Sequence, residues 1–303
     1  GRGTAAGAEG LFTAVYNRLV QLEGRPPAAP LLLGSDSLPI QSEKALYQLA
    51  QWCSERPALA DHILATPSER LVAQLAGGGP RPGAETLPAD DWREWQSRFR
   101  AHLVQFGHSI YNLDFAKPLP ADDPLPILEV LKLFMRGEGM NPHERQRAFA
   151  ERREVAVQAA GARLRGLKRA IFRLTLRWAQ TFAVIREDSI FDIGLGYPTV
   201  RRMLSELGRR LAAAGTIAAD GDIYWLERAE VERAAAAMDR GEEPGDLSGR
   251  VAERKRIWRA EKRATPPQQL PPKARIMGIK TDAFLAASAD EQTGDVIKGV
   301  AAS

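Results

Sequence analysis

One cysteine, Cys53, among 303 residues excludes an intramolecular disulfide and any metal cage built on thiolates, and it fits a reducing compartment. The expected location is therefore the cytoplasm. Histidine is scarce as well. None of His62, His102, His108 and His143 stands in a His-Glu-x-x-His or similar ligand spacing, so no metal site is expected. There is neither a Gly-x-x-x-x-Gly-Lys-Ser/Thr phosphate loop nor a Gly-x-Ser-x-Gly elbow, and the glycines at 77–79 lack the lysine and helix that a phosphate cradle needs. No run approaches the ~18 apolar residues of a membrane span, and the N-terminus lacks a charged-then-apolar leader pattern. An excess of one charge is also missing. Against 38 acidic residues there are 42 basic ones, too small a surplus to imply nucleic acid by itself. Internal repeats are absent, Gly1 is not a methionine, and Gly299-Val300-Ala301-Ala302-Ser303 carries no helix stop, so a fragment of a longer chain is expected.

What is present is helical periodicity. Leu11, Val15, Leu19 and Leu22 predict a first helix that ends before Gly24 and Pro26-Pro27. Ser42 opens a second helix through Leu46, Leu49 and Trp52, Pro57 a third, and Pro67-Ser68 a fourth through Leu75. After the breaker run 77–83, Asp90 or Asp91 caps a helix with Trp92, Trp95, Phe99 and Leu103 on one core-forming face. Prolines 118, 120, 124 and 126 hold the next stretch as a loop, and helix resumes from Ile127. From Glu144 onward a long helix is predicted, with an apolar stripe of Leu164, Leu167, Ile171, Leu174, Trp178, Phe182 and Ile185 to be packed against its neighbours. A helix from Pro198 to Gly215 follows. Then come a β-leaning Asp222-Ile223-Tyr224-Trp225-Leu226, an alanine-rich helix and a basic helix over 250–263. The fold class is all-α with at most one small strand pair, since strand–helix alternation is missing. The domain plan reads as an N-terminal helical subdomain at 1–76, a linker at 77–91, a main helical domain at 92–264, a proline-rich linker at 265–273 and a connector at 274–303.

Three groupings carry possible chemistry. His108, Tyr111, Asn112 and Asp114 lie together in the proline-punctuated loop, where polar side chains line sites; a histidine at a helix end equally bonds backbone carbonyls or a nearby carboxylate. Arg186 can anchor an anionic substrate group beside Asp188, or Glu187 and Asp188 can satisfy Arg186 or Arg202 at a helix junction. Arg165, Arg169, Arg173 and Arg177 recur every four residues, and the interval 141–180 holds ten Arg or Lys against three Glu. That stripe is read first as a solvated or internally paired face; phosphate or nucleic acid is the weaker reading, because no aromatic ladder interleaves it.

Four stretches together resemble the middle region of phosphoenolpyruvate-synthase-like enzymes, the pyruvate, water dikinase family that includes the rifampicin phosphotransferases. They are Leu33-Gly34-Ser35-Asp36-Ser37-Leu38-Pro39-Ile40; Phe106-Gly107-His108 with Asp114-Phe115-Ala116-Lys117-Pro118; Arg186-Glu187-Asp188-Ser189; and Leu207-Gly208-Arg209-Arg210-Leu211 with Asp222 to Leu226. The segment Gly299 to Ser303 resembles the entry to that family's phosphohistidine domain. The resemblance implies a parent enzyme with an ATP-grasp domain before this region and a mobile histidine domain after it. ATP and Mg2+ serve the parent, and no cofactor is expected on this chain alone. None of the four histidines lies past Gly299, so no catalytic residue transfers here. Asn112 stands where relatives often carry a glutamate-containing loop. The implied role is binding a small-molecule acceptor or docking the other domains, through His108, Tyr111, Asn112, Asp114, Arg186 and Asp188. A competing class is an autonomous helical adapter for a protein partner, and a third is a weak nucleic-acid binder through the arginine stripe.

Overall fold

Prolines and glycines set where the helices start and stop, and the backbone between them has few options besides helix. The computed structural model describes residues 2–20, 28–77, 87–110, 114–264, 275–276 and 279–280. It divides into two compact units, residues 1–208 and 209–303.

The first unit holds α1 (Arg2–Leu19), α2 (Leu38–Ser54), α3 (Pro57–Ala65), α4 (Ser68–Leu75), α5 (Ala89–Phe106), α6 (Leu125–Met135), α7 (Pro142–Ala162), α8 (Gly166–Asp192) and most of α9 (Tyr197–Ala213). The aromatic stripe predicted on α5 is core: Trp92, Trp95 and Phe99 are buried among Leu46, Leu49, Leu59, Ile63, Leu71, Leu128 and Leu131 from α2, α3, α4 and α6. Each such fully buried large side chain contributes roughly 1.5–3 kcal/mol. Leu71 and Leu75 share that cluster with Trp92 and Trp95, so the segments on either side of 77–91 have one core. Lys132 on α6 is buried too, and its ammonium donates to the Thr66 carbonyl (2.5 Å), tying α6 to the α3–α4 turn. A second cluster joins Phe12 and Tyr16 of α1 and the following Val20 to Leu31, Ala160, Leu164, Phe172, Leu176 and Ala179.

That second cluster corrects the sequence reading of α8 in two ways. The stretch from 144 to 185 is two helices, broken at Arg163–Arg165. The face that α1 covers is Phe172, Thr175, Leu176 and Ala179, whereas Leu167, Leu174 and Trp178 of the predicted core stripe are 76%, 50% and 48% exposed. Periodicity finds an apolar row, but the partner decides which row is buried; here the rings of Phe12 and Tyr16 come to Phe172, at 6.1 and 6.4 Å between centroids.

In the second unit, Asp222 to Trp225 belongs to a 3-10 turn (Asp220–Trp225) and is not the strand its composition favours. The Asp222 side chain takes the Ala219 N–H (3.2 Å) and the Lys255 ammonium, which curls the segment locally. Helices α10 (Arg228–Asp239) and α11 (Ser248–Glu261) are joined through Glu230. That carboxylate is buried, accepts from Arg254 (2.6 Å) and Arg250 (2.8 Å), and caps α10 through the Glu227 N–H (2.8 Å). The Arg254 hydrogen bond, with the Glu227 amide and Arg250, holds its pKa down at about 2. The strand pair expected at most once is the antiparallel dipeptides Arg275–Ile276 and Ile279–Lys280. The predicted linker 265–273 and the remainder of 274–303 lie outside the described residues. Among the described residues no helix is long and apolar enough to cross a membrane.

Candidate functional site

The end of α5 sets the geometry. Its last turn presents His102 and Phe106, and the chain leaves the helix at Gly107, whose N–H donates to Leu103 O (2.7 Å) and whose carbonyl accepts from Ala121 N–H (2.9 Å). His108 follows at once. Its ring stands edge-on to Phe191 of α8, centroids 4.8 Å apart, and Phe106 meets the same phenyl ring at 6.1 Å. His108 is 9% exposed, and its Nε2 is buried with no hydrogen-bond partner. Asp192 Oδ1 lies 3.9 Å away, too far for a hydrogen bond. Burial lowers the His108 pKa and Asp192 opposes that shift, leaving a neutral imidazole with an available nitrogen.

The loop beyond is locked by α9. Arg201, buried, donates from Nε to Asp122 (2.5 Å) and from its terminal nitrogen to the Phe115 carbonyl. Phe115 stacks on Tyr197 at 4.0 Å between centroids. Asp114 is used locally: its Oδ1 takes the Ala116 N–H (2.9 Å), closing a turn. Gly194, in the 3-10 turn between α8 and α9, lies directly against the His108 backbone; a Cβ there would overlap the His108 carbonyl, with its carbon only 2.9 Å away. His108 is thus held from the side chain by Phe191 and from the backbone by Gly194.

Of the other expected site residues, Arg186 and Asp188 have partners of their own. Arg186 pairs with Glu9 of α1 (2.7 Å) and with Glu187 (3.0 Å). Asp188 Oδ1 accepts the Leu38 N–H (2.7 Å), acting as an N-cap for α2 from 150 residues away. Tyr111 and Asn112 lie outside the described residues. Sequence reasoning passed over Asp122, Phe191, Asp192, Gly194 and Arg201. Asp192 had a signal, being one helical turn beyond Asp188; Arg201 had only its place beside Arg202.

One turn before His108, a cavity of about 260 Å3 opens between α2 and α5, lined by Gln48, Leu49, Arg98, His102, Gln105 and Phe106. Phe106 is the wall it shares with the His108 surroundings. His102 is 8% exposed, its Nδ1 has no partner, and burial pushes its pKa down to about 4. Because that folded pKa lies below the ordinary 6.5, neutral His102 favours the fold above pH 6.5, and the advantage disappears as acid takes the solution toward pH 4. The gap is worth roughly 3 kcal/mol. Urea melts should therefore weaken between pH 6.5 and 4, and His102→Gln should flatten that part of the slope; an unchanged slope would mean other groups govern it. Cys53 takes no part in chemistry of this kind, since burial pushes its thiol up to about 12. Among the described residues no group of three or more histidine, cysteine or carboxylate side chains converges to hold a metal ion.

Over 215 residues the chain is 25% identical to the chondramide synthase cmdD of Chondromyces crocatus, an alignment that covers 70% of this chain and 5% of that protein. The chain thus spans a small part of the length of that relative. The family model for the rifampicin phosphotransferase fourth domain matches residues 4–187, which include nearly all of α1, α2 to α7, most of α8 and His108 itself. That match takes in more than half of the chain, and the chain belongs to the rifampicin phosphotransferase fourth-domain family.

Proposed function

We propose that this chain is the acceptor-binding domain of an ATP-dependent phosphotransferase of the PEP-utilising kind, in which phosphate reaches the acceptor from a histidine on a separate mobile domain. The observation that carries the reading is the end of α5. His102 and His108 are buried with a ring nitrogen that has no partner; His102 lines a cavity, and His108 lies beyond its Phe106 wall. Buried polar atoms are nearly always satisfied, so an open nitrogen on a residue that lines a cavity favours a ligand. At about 260 Å3 the cavity lies just below the usual 300–1,000 Å3 of ligand pockets, which suits a small organic acid or one portion of a larger molecule. Arg98 lines it with its guanidinium held by Glu94 (2.7 Å), while Gln48 and Gln105 supply amide donors and acceptors.

ATP and Mg2+ belong, in this reading, to another domain of the parent. The residues here do not suit them: the sequence has no phosphate-cradling loop, and no set of carboxylates converges among the described residues. What this chain contributes is placement, exclusion of water and orientation of the acceptor. Pyruvate and rifampicin serve as probes of the small and the large acceptor class. In calorimetric titration one of them should bind saturably, and His108→Gln or His102→Gln should weaken it about fivefold to tenfold, the worth of one buried hydrogen bond. Absence of saturable binding by both compounds, or binding indifferent to both substitutions, would remove the proposal.

A further inference from the structure

The cavity between α2 and α5, proposed as the acceptor site, has a floor and a rim of different chemistry. Leu49, Phe106 and the His102 ring are buried and form the floor, whereas Gln48, Arg98 and Gln105 are exposed at the rim. His102 Nδ1 is enclosed by the protein without a partner, so Nε2 is the nitrogen that a ligand can reach. An enclosed lone pair costs less than an enclosed N–H with nothing to meet, which assigns the proton to Nε2. The floor therefore offers one hydrogen-bond donor between apolar walls, and it calls for an oxygen acceptor, whether carbonyl, carboxylate or phosphoryl. Charge separates these. Burial keeps His102 neutral, with its pKa at about 4. Arg98, the cation among the lining residues, donates from Nε to Glu94 (2.7 Å), and its guanidinium lies 4.7 Å over the Trp52 ring. Glu94 stands two helical turns before His102, so that positive charge is balanced away from the floor. An anion reaching the floor would shed water and find no unbalanced cation, a cost that one neutral N–H does not offset. Volume admits a small acid, but charge does not favour one.

We propose that the cavity takes a neutral secondary amide, with its carbonyl oxygen on His102 Nε2–H, its own N–H on a rim glutamine and an apolar substituent against Leu49 and Phe106. The proposal rests on the acceptor reading of this cavity and narrows it to an amide-bearing molecule, or the amide-bearing part of one. A neutral carbonyl gives up far less hydration than a carboxylate on reaching the floor. Gln48 on α2 and Gln105 on α5 have side-chain amides without a hydrogen bond among the described residues, and each supplies both a donor and an acceptor to match the polar edge of an amide. A ligand with the right shape but no N–H or carbonyl would leave these groups and His102 unmatched.

The probes are N-methylbenzamide, benzoate and toluene, titrated against the whole chain at neutral pH and followed by saturation-transfer NMR of the ligand. Saturable binding of the amide is expected, about tenfold tighter than that of benzoate or toluene. His102→Phe keeps a ring on the floor and removes the donor, so the amide should weaken about tenfold and lose its lead over toluene. Gln48→Ala with Gln105→Ala should weaken it about fivefold to tenfold, and because both positions are exposed this variant should melt as the native chain does. Benzoate binding as well as the amide would overturn the amide class while leaving an acceptor site in place. Amide binding unchanged in both variants would overturn the proposal by putting the ligand elsewhere. Absence of saturable binding by all three probes would overturn it too, and the pyruvate and rifampicin titrations then show whether the acceptor reading falls with it.

Discussion

Gly34→Ala should be the most damaging small substitution in the first unit, lowering its stability by about 3–4 kcal/mol. Two independent costs add. Gly34 has φ +77°, a region where an L-residue is strained by about 1–2 kcal/mol. A methyl there would also lie 2.7 Å from Ala150 Cα and from the Phe149 carbonyl carbon of α7, so backbone must move on one side or the other. That close approach has a purpose. The segment leading into α2 is stitched to α7 by Gln146 on Gly34 O (3.0 Å) and Arg153 on Leu33 O (3.0 Å), and to α8 by Gln180 on Leu31 O (2.9 Å) and Asp188 on Leu38 N–H. Pushing Gly34 outward strains all four. For a unit of this size the melting temperature should fall by about 10 °C. Gly10→Ala is the internal control: it lies within α1 with open space around it, and removing glycine from a helix should raise stability by about 0.5–1 kcal/mol. A Gly34→Ala chain melting within two or so degrees of the native one would mean that the segment before α2 yields easily.

The same segment shows where the sequence was legible and where it was not. Local signals located the helices that are started locally. Pro57, Ser68 and the Trp92–Trp95–Phe99 stripe behave as read, because proline placement and a wide apolar face depend on few residues. Helix α2 begins at Leu38, earlier than the Ser42 start that its sequence favours, because its cap comes from Asp188 on a distant helix. No local rule sees that. The misassigned face of α8 has the same origin: two rows on one helix were apolar enough to be buried, and α1 chose the one containing Phe172. At the candidate site, His108 is singled out by its place after glycine in a polar loop, while Arg186 and Asp188 make contacts with α1 and α2. Polar type and loop position pick out residues able to bind a ligand, but only the fold shows which of them already have partners. The empty ring nitrogens of His102 and His108 are facts of packing that no spacing encodes.

The second large effect concerns the division of labour that the proposed function requires. If phosphate is taken from ATP by one domain and the acceptor is held by this one, the two half-reactions should separate under substitution at His108. In a full-length polypeptide that carries this chain together with its ATP-binding and histidine domains, labelled ATP measures the first half-reaction as label retained on protein. Release of that label onto the acceptor measures the second. His108→Gln keeps a polar side chain able to hydrogen-bond near Asp192 and Phe191, and Asp192→Asn alters an exposed carboxylate, so both variants should fold. Label retention should match the native enzyme, whereas transfer to the acceptor should fall by about tenfold through loss of acceptor positioning. Parallel loss of both half-reactions, undiminished transfer in both variants, or label stably retained on His62, His102, His108 or His143 of the isolated chain would contradict the assignment of this domain to acceptor binding.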